Sequence, residues 1–229
     1  MRYAIYYAPI PAHPFHRLGS AWLGRDAHTG EALVQPQVEG LPQLTGDPRR
    51  YGFHATLKAP FALREGITPE SLMRACAALA ADTKAFCARL RVDHIDGFLA
   101  LVPDSEHAQL HELAARCVRD LDGFRRPHSE DDLARRRKAL LTERQDDHLL
   151  RWGYPYVLDD FRFHMTLTKR LEPADARRLA DAAQAHFATE LGEPVMLDGI
   201  TLFQEPGPGA PFLALRHFPF TLSTAEAAA

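Results

Sequence analysis

Two histidines share closely matched surroundings. His54 lies in Phe53-His54-Ala55-Thr56-Leu57 and His164 in Phe163-His164-Met165-Thr166-Leu167. The two pentapeptides differ at one position and sit 110 residues apart (164 minus 54). Imidazole titrates near neutrality, at about 6.5 when unperturbed. One neutral histidine can take a proton from water or a hydroxyl while a second, protonated, gives one to a leaving oxygen. Threonine hydroxyls can donate hydrogen bonds to nonbridging phosphate oxygens. Two histidines and two threonines facing one another would therefore suit phosphate-ester chemistry without a metal.

Side chains alternate between the faces of a strand. In the first copy His54, Thr56 and Lys58 share one face, and Phe53, Ala55 and Leu57 the other. In the second, Arg162, His164, Thr166 and Thr168 oppose Phe161, Phe163, Met165 and Leu167. Each strand thus has an apolar packing face and a polar His/Thr face. Lys58 and Arg162 read either as contacts that offset substrate charge or as solvated rim charges. Tyr51, Tyr154 and Tyr156 are candidates to line the cleft and stack on a sugar or base. Lys169 and Arg170, at a strand end, read as rim charges.

The elements that must position these groups follow in order. Arg2–Ala8 is strand-like, and residues 10–50 read as loops with a short helix near Ala21–Leu23. Phe53–Leu63 is a strand. Thr68 as N-cap and Pro69 as first residue start a helix to about Ala81. Strands at Phe86–His94 and Gly97–Val102 and a helix at Ser105–Asp120 come next. The polar, arginine-rich segment 122–160 reads as a helical connector. A strand at Arg162–Thr168, a helix from Pro173 to about Phe187, and strands at Pro194–Gln204 and Phe212–Pro219 complete the chain, with a frayed AEAAA tail. Both halves therefore read as a His-x-Thr strand, a proline-started helix and two strands. One bilobal domain is expected, with lobe 1 at about 1–104, a connector at about 105–160 and lobe 2 at about 161–221.

Composition sets outer limits. The 229 residues suffice for a sizeable core. A formal net charge of -3 gives no global basic field for nucleic acid. Three cysteines without a CxxC pair argue against a disulfide framework or a zinc cluster. The N-terminus lacks a signal-peptide apolar core and no run of 18 apolar residues occurs, so a cytoplasmic protein off the membrane is expected. His107 and His111 have metal-compatible spacing on a helix, but no third ligand is evident, so an exposed helix face is the favoured reading. The arginine run 135–137 reads as a solvated face, with a lid over a second phosphate as the alternative.

HATL and HMTL resemble the His-hydrophobic-Thr/Ser-hydrophobic signature of the two-histidine (2H) phosphoesterase superfamily. The segments YYAP, YGFHATLKAPF, RWGYPYVL and FRFHMTLT resemble its bacterial branch associated with phosphonate-utilisation genes. The resemblance implies an α+β, internally duplicated bilobal fold, with two antiparallel sheets flanked by helices around a central cleft. It implies catalysis by His54 and His164, with Thr56 and Thr166 holding phosphate. The expected function is a metal-independent phosphoesterase that opens or forms a cyclic phosphodiester of ribose or a nucleotide, with no cofactor and no metal. The expected partner is a small phosphorylated substrate, an RNA end being a second candidate, and no obligatory protein partner is evident. The rival readings are a non-catalytic nucleotide or RNA-end binder using the same cleft, and a metal hydrolase built on His107 and His111.

Overall fold

A computed structural model describes residues 1–138 and 140–222. The expected frayed tail, 225–229, lies outside the described residues. The strands are β1 (Arg2–Tyr7), β2 (Ala55–Phe61), β3 (Phe86–Ala88), β4 (Leu90–Ile95), β5 (Phe98–Pro103), β6 (Met165–Thr166), β7 (Val195–Leu197), β8 (Gly199–Glu205) and β9 (Leu213–Pro219). The helices are α1 (Pro14–Leu23), α2 (Leu41–Leu44), α3 (Gly46–Tyr51), α4 (Pro69–Ala81), α5 (Ala108–Asp120), α6 (Glu130–Arg136), α7 (Glu143–Trp152), α8 (Pro173–His186) and α9 (Ala188–Leu191).

The class is α+β. A seven-stranded sheet runs in the order β4-β5-β6-β2-β1-β8-β9, every neighbouring pair antiparallel. This corrects the expectation of two lobe sheets. The His/Thr strands β2 and β6 are themselves neighbours, paired through Ala55 and Met165, so one sheet passes through both halves. The second sheet is only the pair β3–β7. After each His/Thr strand come a proline-started helix (α4 or α8), a short strand (β3 or β7) and a hairpin (β4–β5 or β8–β9), the second half inserting the short helix α9 between α8 and β7.

Local chemistry explains the sharpest boundaries. Thr68 accepts a hydrogen bond from the Ser71 amide and Pro69 occupies the first turn, so α4 starts where the cap dictates. The strand expected over Phe86–His94 is instead split at Arg89, β3 leaving for the second sheet while β4 joins the first. The strand expected over Pro194–Gln204 divides likewise at Asp198. Helix α1 is longer than the short helix anticipated because Pro14 opens it and His13 caps it through the Phe15 amide. It docks through the Trp22 indole, whose Nε1–H donates to the Leu167 carbonyl at 3.0 Å.

The core lies on both faces of β1. Tyr3, Ile5 and Tyr7 enter the main apolar cluster, while Ala4, Tyr6 and Ala8 join a smaller one with Ala27, Phe203 and Phe212. Among the described residues, no helix is long and apolar enough to cross a membrane.

Candidate functional site

The burial pattern follows the alternation of the two pentapeptides. Phe53, Ala55, Leu57, Phe163, Met165 and Leu167 are all buried, whereas His54, Thr56, His164 and Thr166 are half-buried. Because Ala55 opposes Met165 in antiparallel register, one step either way sets His54 alongside Thr166 and Thr56 alongside His164. Each histidine thus neighbours the other motif's threonine.

Both imidazoles are oriented in the same manner. His54 Nδ1–H donates to the Gly52 carbonyl at 2.9 Å, and His164 Nδ1–H donates to the Arg162 carbonyl at 2.7 Å. A backbone carbonyl can only accept, so each bond fixes the Nδ1–H tautomer and leaves Nε2 as the free base. His54 Nε2 lies 3.2 Å from the Thr56 hydroxyl, a suitable donor to it. Gly52 makes the first arrangement possible. It leaves α3 at φ 81, and a Cβ there would stand 2.4 Å from that of Ala27.

The surroundings favour neutral imidazoles. Burial pushes His54 down to about 4; the Gly52 hydrogen bond opposes this and the nearby His164 adds to it. Burial also lowers His164, opposed by the bond to the Arg162 carbonyl and by Asp96. Tyr6 stacks on His54 with ring centroids 3.8 Å apart, and Phe98 tilts against His164 at 5.7 Å.

Two adjoining cavities run along this surface. One, of about 410 Å³, is lined by His54, Thr56, Thr166, Tyr6, Tyr51 and Arg136 among others. The other, of about 640 Å³, holds His164, Arg162, Tyr156 and Asp96. Thr56, Ala59, Phe98, Tyr154 and Arg170 line both, so the two form one groove with a histidine in each part.

The structure places the remaining candidates as follows. Tyr51 lines the His54 part, Tyr154 both parts, and Tyr156 and the exposed Arg162 the His164 part. Lys58 is elsewhere. It is only 3% exposed, and its ammonium donates to the Val118 carbonyl and to Asp122 Oδ1, at 3.1 and 3.0 Å. The β1–β2 register shifts between Ile5↔Lys58 and Tyr6↔Thr56, a bulge that turns Lys58 toward α5, so alternation counted from His54 fails there. Lys169 and Arg170, read as rim charges, both line the His54 part. His107 lies just before α5 and bonds the Cys87 carbonyl, while His111 packs edge-on against Phe161. No group of three or more potential metal ligands occurs among the described residues.

Sequence reasoning missed Tyr6 and Phe98, and it gave Arg136, within the run 135–137, a place over a second phosphate only as the alternative to a solvated face. Tyr6 and Phe98 come from strands whose neighbours the sequence does not reveal. Arg136 comes from the connector, where surrounding acids suggested a solvated face.

Comparison with known proteins adds four findings. The chain is 43% identical over 230 residues to a protein of Janthinobacterium sp. (strain Marseille) named ribose 1,5-bisphosphate phosphokinase PhnN, the match covering 96% of this chain and 51% of that protein. A protein of the same name from Laribacter hongkongensis (strain HLHK9) is 40% identical over 220 residues, covering 94% and 51%. The chain therefore spans about half the length of these curated relatives. The crystal structure of TT0787 of Thermus thermophilus matches 96% of this chain and 98% of that one at 19% identity, with a TM-score of 0.43.

The relatives' name corrects the expectation of a cyclic phosphodiesterase, because the activity it states is that of a phosphokinase. That name is also the name of an enzyme. The family described as "Protein of unknown function (DUF1045)" matches residues 56–213. That match takes in most of the chain, from Thr56 through His164 and Thr166 to the start of β9, and the chain belongs to the DUF1045 family.

Proposed function

We propose that this chain is an enzyme unit acting at a phosphate ester of a phosphorylated ribose, with the phosphoryl group held between the two His/Thr pairs. The observation that carries this reading is the antiparallel pairing at Ala55 and Met165, with Nδ1 of both histidines tied to backbone carbonyls. Two bases with unprotonated Nε2 atoms, that of His54 beside the Thr56 hydroxyl, make a site for moving protons at phosphoryl oxygens.

The histidines receive different roles. His54, the more strongly depressed, is the base that takes a proton from the attacking oxygen. Burial holds His164 neutral against the opposing pull of Asp96, and a bound phosphate dianion would offset that burial and protonate it, so it is the donor to the sugar oxygen that leaves phosphorus. Thr56 and Thr166 hold nonbridging oxygens. The groove aromatics Tyr51, Tyr154 and Tyr156 pack on the sugar.

The ribose class comes from the relatives' name, and their PhnN designation supports the phosphonate-associated branch. The kinase activity is named for proteins about twice as long. This chain contains no Gly-x-x-x-x-Gly-Lys-Ser/Thr loop, the usual cradle for nucleotide phosphates, so the groove is assigned to the sugar phosphate. Kinship with the two-histidine superfamily rests on the two motifs.

Phosphorus NMR and titration calorimetry with ribose 5-phosphate, ribose 1-phosphate and ribose 1,5-bisphosphate test the reading. Saturable binding weakened by Thr56→Val and Thr166→Val is expected. No binding at millimolar ligand, or binding untouched by either change, would overturn it.

A further inference from the structure

A third cavity, of about 610 Å³, adjoins the His54 part of the groove. Arg2, Pro60 and Arg136 line both, so they form the wall between them. This cavity also carries Arg126, Arg135, His128, Asp132 and Glu205.

Its charges can be paired off. Glu205 accepts from Arg2 at 2.5 and 2.9 Å, from the Arg50 guanidinium, and from the Gly209 amide at 3.2 Å. The Asp132 carboxylate is taken by Arg135 and Ser129, with His128 at 4.0 Å. Both carboxylates are therefore committed. The guanidinium groups of Arg126 and Arg136 have no hydrogen bond or ion pair with any described residue, Asp132 and Tyr154 attracting Arg136 only at longer range. Arg126 is exposed, but Arg136 is half-buried on the dividing wall. An unpaired guanidinium held partly out of water is costly unless an anion meets it. Its planar fork matches a phosphate in bidentate fashion.

We propose that Arg136, supported by Arg126 and Arg2, forms a second anion subsite that takes the remote phosphate of a bisphosphorylated sugar whose other phosphate lies between His54 and His164. The proposal rests on the phosphorylated-ribose reading of the groove and deepens it: the ligand carries two phosphates, and one end is read by the connector helix α6. Arg136 is a specificity residue, remote from the reacting atoms.

Calorimetry on the whole chain with ribose 1,5-bisphosphate, ribose 5-phosphate and ribose 1-phosphate tests this. The bisphosphate should bind about tenfold to a hundredfold more tightly than either monophosphate, the range expected for one added charge-assisted contact. Arg136→Ala should bring the affinity for the bisphosphate to within about twofold of that for the more tightly held monophosphate. Arg136→Lys should restore part of the preference. Thermal melts of both variants report whether α6 remains folded, and the exposed Arg126→Ala gives a second, weaker loss without that concern. Equal affinity for mono- and bisphosphate in the parent, or a preference that survives Arg136→Ala, overturns the subsite alone. Failure of every phosphorylated ribose to bind overturns the groove reading and the subsite with it.

Discussion

Ala55 and Met165, 110 residues apart in sequence, face each other across the β2–β6 pair, and each is flanked by the histidine and threonine of its own motif. The position that differs between the two pentapeptides is thus the point about which they meet. Both side chains are fully buried, so the pairing is locked by packing beneath while the polar groups stand above it.

Removing either imidazole should abolish turnover while leaving the fold intact. For His54→Ala and His164→Ala, a rate loss of about 10²–10⁴-fold is expected in each, the usual contribution of a positioned acid or base. Circular dichroism and phosphorus NMR on one set of samples check this. Parent-level turnover in either variant would remove that residue from the chemistry.

The depressed His54 predicts a pH effect on stability. Its folded value of about 4 lies below the unfolded value of about 6.5, so the unfolded chain binds more protons between them. The contribution is present in full above about 6.5 and is lost as pH falls toward 4. Urea midpoints should decline over that window and decline less steeply in His54→Gln. The C–H proton shifts of His54 in the folded protein should titrate with a midpoint of about 4, at the lower edge of that window.

Lys58 should behave as a structural residue. Asp122→Ala strands a buried ammonium and removes the carboxylate that also binds Arg125. A loss of about 3 kcal/mol or more is expected, as for a broken buried pair. Lys58→Met, which removes the buried charge itself and leaves Asp122 to Arg125, should cost less. Phosphate-ligand affinity should persist in Lys58→Met; a large loss there with unchanged stability would return Lys58 to the site.

Gly19 links the core to the site. A Cβ at this position would fall 2.1 Å from the Phe53 ring, which immediately precedes His54. Gly19→Ala should destabilise by about 1–3 kcal/mol through overpacking. It should also weaken ligand binding because Phe53 must shift. Chemical denaturation and calorimetry read the two effects, and a neutral result in both would show that the ring has room to move.

What the sequence made legible was local. The Thr68-Pro69 cap placed the start of α4, and alternation along the pentapeptides separated buried from half-buried residues correctly up to Leu57. It failed one residue later because a bulge is a property of the β1–β2 pair, invisible in β2 alone. The seven-residue strand expected at Arg162–Thr168 is only Met165–Thr166, since its flanks find few ladder partners. Tyr6 went unrecognised, and Arg136 was favoured as part of a solvated face, for a related reason. Both reach the groove through contacts between segments far apart in the chain.

The sheet order places the two-residue β6 between β5 and β2, so the strands of the first half's hairpin reach the rest of the sheet only across it. The seam that joins the sheet and the seam that juxtaposes the histidines are one and the same. Fraying there would dismantle both together, so amide exchange at Met165 and loss of ligand binding should share a single opening event.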